Sequence, residues 1–317
     1  MAILPPWFSS RRSLALGFAT SGAGMGGLAY SLITGRLINI TSTTWTWRIL
    51  GLASLSMNVV CSLILRERAP LAAARATRRP FNFHDFLRTQ VILVLIWGLF
   101  TEFGYVALWY NLPSYATSIG LNPTQGSVVQ ALLSVGLGVG RPIVGYYSDK
   151  VGRINMALGT TLMCAVLCLA LWIPARNYAG LVVFAATAGV VAGTFWSTVN
   201  PVLAEVVGIA EAGSVFGSIC FALVLPTTFG GAIALELVQG TGMNQFLPSQ
   251  IFVGFMFIAG SLALIFLRSW KIYEVEMKAE AERLSVMPPE AARNAALAGV
   301  RSSLWFAPKR MFMPRRV

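Results

Sequence analysis

Two charges interrupt long apolar stretches, and each demands a chemical explanation. Arg141 lies well inside an otherwise uncharged run, where a cation at the bilayer centre costs about 2.5 to 3.5 kcal/mol even on the lenient insertion scale. It must be compensated, either by snorkelling toward an interface about two helical turns away or by a partner on another helix. Glu102 sits near the middle of another run, so it takes up a proton, faces water or pairs. That placement suits a proton-coupling carboxyl, and equally a structural hydrogen bond or a partner for Arg141. A third stretch is polar without charge: Trp196, Ser197, Thr198, Asn200 and Pro201. Proline removes a helical hydrogen bond, and a discontinuous helix can expose carbonyls to a solute, so Trp196 and Asn200 are candidates to line a cavity. Ser, Thr and Asn are also ordinary interhelical glue. Glu205, Glu211 and Glu236 sit nearer the ends of apolar runs and read as interfacial.

Gly145, Asp149, Lys150, Gly152 and Arg153 form the pattern G-x-x-x-D-[RK]-x-G-R between two apolar runs. The glycines allow a tight helix-loop-helix turn and close backbone approach, while Asp149 can bond helix-terminal groups or a basic neighbour. Such a cluster can latch one helix end to another and release it; its plainer reading is a solvated loop with capping charges. His84, the one histidine, has no acidic or cysteine partner at useful spacing, and Cys61, Cys164, Cys168 and Cys220 lie in apolar runs without metal-ligand spacing. No cofactor or metal site is expected. The runs Gly22, Gly24, Gly26, Gly27 and Gly136, Gly138, Gly140 follow no strand, so they read as close helix packing and not as phosphate cradles. Pro226 with Gly230 and Gly231 forms either a hinge or a static kink. No nucleophile elbow, metal-ligand helix or paired-carboxylate site points to an enzyme.

The elements that must position these residues follow from composition. Of 317 residues, 56% are hydrophobic and 11% charged, and mean hydropathy is +0.68; ordinary soluble domains carry about 25% charged residues. The excess falls in runs of about twenty residues, the length that crosses a hydrocarbon core of about 30 Å as a helix. Eight spans are expected, at residues 13–38, 47–65, 89–111, 124–147, 155–173, 180–203, 212–238 and 249–267. The runs are continuously apolar, not alternating, so they are helices and not barrel strands. An all-α membrane bundle of about eight transmembrane helices follows.

The net charge of +12 resides between the spans and in the C-terminal tail, which reads as topology and not as nucleic-acid binding. Arg11 and Arg12, the Arg-rich loop from Arg66, Lys150 with Arg153, and Arg268 with Lys271 fall on one side, and Arg176 is the exception. Both termini are expected in the cytoplasm. No signal peptide is expected at Met1 to Ser10. The tail interleaves Trp305, Phe306, Met311 and Phe312 with Lys309, Arg310, Arg315 and Arg316; it is a disordered basic tail or an interfacial segment drawn to anionic membrane lipids.

The loop motif resembles the second-half copy, between helices eight and nine, of the motif of the major facilitator superfamily. Trp7 to Gly22 (WFSSRRSLALGFATSG) is similar to the pattern that opens helix five of its monocarboxylate porters, departing at Ser10. Gly104-Tyr105 with Leu112 to Ala116 resembles the end of helix seven in fungal members, and Gly140-Arg141-Pro142 their helix eight. The resemblance implies that the spans are equivalent to helices 5–12 of a twelve-helix fold and that the N-terminal helices are lacking. Residues 1–66 would then be a two-helix remnant of the N-terminal half, 67–88 the central cytoplasmic loop, 89–268 the six-helix C-terminal half and 269–317 a basic tail. It further implies a multi-pass plasma-membrane transporter that moves a small organic anion, a monocarboxylate or a related metabolite by alternating access, with protons as a possible co-substrate. Arg141 takes the position of an arginine that pairs with the substrate carboxylate, which a planar guanidinium suits. Where animal members often carry aspartate one turn earlier, this chain has Leu137, a departure that bears on proton coupling. The other readings are a truncated, transport-incompetent membrane protein and a fragment of a secondary-metabolite exporter.

Overall fold

The computed structural model describes residues 7–8, 11–65, 87–239, 244–286, 311 and 313; His84 and most of the central loop and tail lie outside these. Among the described residues every regular element is helical: α1 (Arg12–Ile40), α2 (Thr43–Ile64), α3 (Thr89–Ser118), α4 (Pro123–Val151), α5 (Arg153–Val166), α6 (Tyr178–Val191), α7 (Phe195–Val206), α8 (Ile209–Ala222), α9 (Val224–Glu236) and α10 (Leu247–Val286). A π-helical run, Leu167–Trp172, prolongs α5.

Among the described residues, seven segments are long and apolar enough to cross a membrane: α2, α3, α4, α5 with its π run, α6 joined to α7, Glu211–Glu236 across α8 and α9, and α10. The first expected span forms a 29-residue helix, α1. Its glycines and hydroxyl residues dilute the hydropathy, so it is not among the seven. Two expected spans are each a pair of helices. The α6–α7 break spans Ala192 to Thr194, with Gly193 at φ +67°. The α8–α9 break falls at Leu223, three residues before Pro226, because the proline has no N–H for the carbonyl one turn back. The charged stretch after Arg268 continues α10, making it 40 residues long.

Local sequence sets the other ends. Pro123 occupies the first turn of α4, and the Asn122 backbone N–H donates to Gln125 Oε1 at 3.1 Å. Asn177 caps α6 by accepting from the Gly180 N–H at 2.7 Å. Gly120 and Gly152 take φ of 83° and 109°, a region costly for other residues, where α3 and α4 stop.

Polar contacts between helix ends establish two faces of the bundle. On the first, Arg88 before α3 meets Glu211 in α8 at 2.6 Å, and Asn155 in α5 accepts from Arg268 of α10 at 2.6 Å. On the second, Tyr115 near the end of α3 donates to the Ala175 carbonyl at 3.0 Å, and Arg176 donates to Asn244 at 3.1 Å. Successive spans therefore alternate in direction.

The interior is two apolar clusters stacked along the bundle axis. Toward the first face pack Val94, Trp97, Phe195, Val199, Leu264 and Leu267. Toward the second pack Leu112, Tyr115, Leu133, Trp172, Phe184 and Phe257. The helices themselves meet where side chains are missing. A Cβ at Gly24 would stand 2.5 Å from Gly138 N, and one at Gly136 would stand 2.8 Å from Gly189 Cα. Substituents at Gly17 and Gly140 would run into the backbones of Arg141 and Val190. The α1–α4 and α4–α6 seams thus require glycine. Gly22, Gly26 and Gly27 do not follow this reading, since nothing lies within 4 Å of where their Cβ atoms would be. The α2 helix stands apart on the α1 side, where Tyr30 and Ser54 hydroxyls lie 3.0 Å apart, and only 6% of its apolar window is buried.

Candidate functional site

Of the residues singled out in sequence, Glu102 and Arg141 lie in the gap between the apolar clusters, with Trp196 at its edge. On α3, Trp97 belongs to one cluster and Ala107 to the other; Glu102 lies between them and is 3% exposed. On α4, Arg141 is 4% exposed. The α6–α7 break falls at the same level, because Ala188 packs in one cluster and Phe195 in the other. A broken helix, a buried cation and a buried carboxylate therefore share one layer.

Arg141 does not snorkel. Its Nη1 donates to the Thr20 carbonyl of α1, and its Nη2 passes the Gly193 turn, 3.2 Å from where a Cβ would stand. That built Cβ would also lie 3.0 Å from the Tyr105 ring and 3.0 Å from Leu137. Only a bare backbone lets the guanidinium, the phenol ring and the turn approach together. Glu102 lies within electrostatic reach of Arg141, and the Trp196 side chain is directed at its carboxyl. Tyr105 is within reach of both charges. Trp196 and Asn200 are one helical turn apart on α7 and therefore share a face. Two buried polar atoms of the layer have no protein partner, Arg141 Nε and Glu102 Oε2; Asn200 Nδ2, further along α7 among the residues of the first-face cluster, has none either. An unsatisfied buried polar atom costs about 1 to 3 kcal/mol, more for a charged group. The layer thus holds a spare donor and a spare acceptor. Tyr105 and Trp196 are only partly buried and leave it an accessible face.

Pro201 does not break its helix; α7 runs through it, and the discontinuity falls at Gly193. Nothing in the sequence separates Gly193 from the chain's other glycines. Tyr105 carries no charge to draw notice inside an apolar run, and Thr20 contributes a backbone carbonyl, for which a sequence holds no signal.

The loop motif forms a second polar centre, on the first face. Asp149 grips the start of α1: Oδ1 accepts from the Ser13 N–H at 3.2 Å and Oδ2 from the Leu14 N–H at 3.1 Å. These amides belong to the first turn of a helix, which has no carbonyls of its own to offer them, and the helix dipole favours a carboxylate there. Arg153 Nη2 lies 3.9 Å from Asp149 Oδ1, and Arg12 is within electrostatic reach of both. Gly145 permits the approach, since a Cβ there would run into the Ser13 carbonyl. Lys150 is not part of the cluster; it is exposed, with Nζ 4.2 Å from the Tyr146 ring centroid. Of the expected interfacial acids, Glu211 is exposed and pairs with Arg88, and Glu236 is exposed at the end of α9. Glu205 is only partly buried, but its Oε2 is buried without a partner.

Residues 1–231 and 103–299 match the sequence profile described as Major Facilitator Superfamily. The chain is 32% identical to the "Probable transporter MCH2" of Saccharomyces cerevisiae, over 100% of this chain and 67% of that protein. It is 31% identical to the "Uncharacterized transporter ESBP6" of the same yeast, over 85% of this chain and 42% of that protein. It is 26% identical to the "Agnestins efflux protein AgnL12" of Paecilomyces divaricatus, over 84% of this chain and 60% of that protein. The chain thus spans 42 to 67% of the length of these relatives.

Proposed function

The chain belongs to the major facilitator superfamily, and from that premise we propose that it moves a small organic anion, a monocarboxylate or related metabolite, across a membrane by alternating access. The observation that carries the reading is the layer between the apolar clusters, where Arg141 Nε and Glu102 Oε2 are buried without partners. A carboxylate takes up the free edge of the Arg141 guanidinium, while its apolar remainder lies against Tyr105 and Trp196, and Asn200 is a further polar group along the same α7 face as Trp196. Glu102 carries the proton: ionised, it competes for Arg141, and protonated, it releases the cation to the solute. The Asp149 grip on α1 is the gate. It holds the α1–α4 seam closed on one face, which the charge asymmetry assigns to the cytoplasm, and the plasma membrane is the expected location. Domain limits follow the same mapping: α1 and α2 from an N-terminal half, α3 to α10 forming the C-terminal half.

A second reading, export of a larger secondary metabolite, draws on two observations. AgnL12 is named as an efflux protein, and Trp109 lies 5.9 Å from Tyr105, extending the aromatic wall beyond what a short acid needs. A third, a protein that does not transport unaided, draws on the open Gly22, Gly26 and Gly27 face and the sparsely covered α2.

Uptake of radiolabelled lactate, pyruvate and acetate by proteoliposomes holding the full chain, with and without an imposed pH gradient, tests the first reading. Arg141→Ala should lower uptake about 10- to 100-fold, the worth of one charge-assisted hydrogen bond. Glu102→Gln should abolish the response to the pH gradient while sparing solute exchange. Unchanged flux in Arg141→Ala removes that residue from the site. Absence of acid flux together with flux of bulky aromatic acids favours the second reading.

A further inference from the structure

We propose that the first-face end of α4, beside the start of α1, is a binding site for an anionic phospholipid, with Lys150 and Arg11 holding the headgroup phosphate and the outer stripe of α4 holding an acyl chain. Val139, Ile143, Tyr146 and Lys150 recur at the spacing of helical turns, so they form one stripe along α4. All of them are exposed, and Lys150 lies in the helix's last turn. From the middle of the span to its edge the stripe therefore runs from apolar side chains through an aromatic ring to a cation. That is the order in which a lipid presents acyl chain, interface and phosphate.

The second cation comes from α1. Asp149 holds the Ser13 and Leu14 amides, and Gly145 lets that backbone approach, so the residue just before α1 stands beside the end of α4. It is Arg11, exposed and within electrostatic reach of Tyr146. Lys150 Nζ stands over the same ring, 4.2 Å from its centroid, and the Tyr147 ring packs edge-on against it with centroids 5.5 Å apart. Two cations thus share one phenol ring. Their basic neighbours are committed elsewhere: Arg153 pairs with Asp149, and Arg12 Nε donates to the Phe8 carbonyl at 2.6 Å. Among the described residues neither Arg11 nor Lys150 forms an ion pair. Like charges held this close repel, and a phosphate between them reverses the sign of the interaction. A soluble phosphate would use the cations alone, whereas the exposed apolar stripe leading away from them selects a lipid.

Native mass spectrometry of the full chain in a non-ionic detergent, titrated with phosphatidylserine or phosphatidylcholine, tests the site, and a photoactivatable phosphatidylserine locates it. Phosphatidylserine should be retained in preference, about fivefold more weakly in Lys150→Gln or Arg11→Gln and about 25-fold more weakly in the double variant. Ile143→Ser leaves both cations in place and should weaken retention about threefold through the acyl stripe. The cross-link should fall within residues 139–151, a readout that needs no variant to fold. Equal retention of the two lipids, or wild-type affinity in the double variant, overturns the proposal. Absence of cross-linking within residues 139–151 overturns the location, and displacement of the lipid by millimolar inorganic phosphate overturns the assignment to a lipid.

Discussion

Gly193 shows how much of the buried polar layer depends on an atom that is missing. Its φ of +67° lies where a Cβ is strained, and the place a Cβ would occupy is already bounded by Tyr105, Leu137 and Arg141 Nη2 at 3.0 to 3.2 Å. A Gly193→Val substitution should therefore displace the guanidinium and the phenol together, lowering solute affinity by tenfold or more and costing about 1 to 3 kcal/mol of stability. Proteoliposome uptake and a detergent melting curve measure the two effects, and a variant with wild-type affinity would separate the turn from the site. The charges of the layer were legible in sequence because an ion inside an apolar run is conspicuous. The groups around them were not: Thr20 acts through a carbonyl that every residue has, Tyr105 through its place beside two charges, and Gly193 through empty space.

Among the elements, the α1–α4 seam bears the two contacts that the proposed alternating access would have to renegotiate: Arg141 on the Thr20 carbonyl within the membrane, and Asp149 on the Ser13 and Leu14 amides at its edge. Asp149→Asn keeps the shape but loses the charge that the helix dipole and Arg153 favour, a loss of about 0.3 to 2 kcal/mol. The expected result is a modest fall in thermal stability with a larger change in transport rate, because the closed state loses a contact that the open state does not have. A rate unchanged by Asp149→Asn would deny the contact a gating role. The motif's spacing left Asp149 either a helix end or a basic neighbour to bind, and which helix end it meets depended on which helix packs on α4. That choice was made by Gly17, Gly24 and Gly145 removing bulk from both surfaces. The same logic limited the reading of the sixth span: Pro201 looked like the place to break, and the helix absorbed it, while the unremarked Gly193 broke instead.

For the whole molecule, hydropathy sufficed to foresee an all-helical membrane bundle, because long apolar runs have few other ways to satisfy their backbone. It did not foresee that α1 would be too rich in glycine to count as apolar by composition alone. Alternating span direction yields a prediction at this scale. Single cysteines replacing Arg88 and Lys271 should react with an impermeant maleimide from one side of a sealed vesicle, and one replacing Arg176 from the other, in a background lacking the four native cysteines. Labelling of all three from the same side would refute the span count. The grip of Asp149 also has a consequence for how the protein is made, since the carboxylate lies 136 residues beyond the Ser13 amide that it serves. At translation speeds of about 5 to 20 residues per second, on the order of ten seconds separates the making of the α1 amides from that of the carboxylate that binds them. The α1–α4 seam therefore cannot close at this edge until α4 has been made.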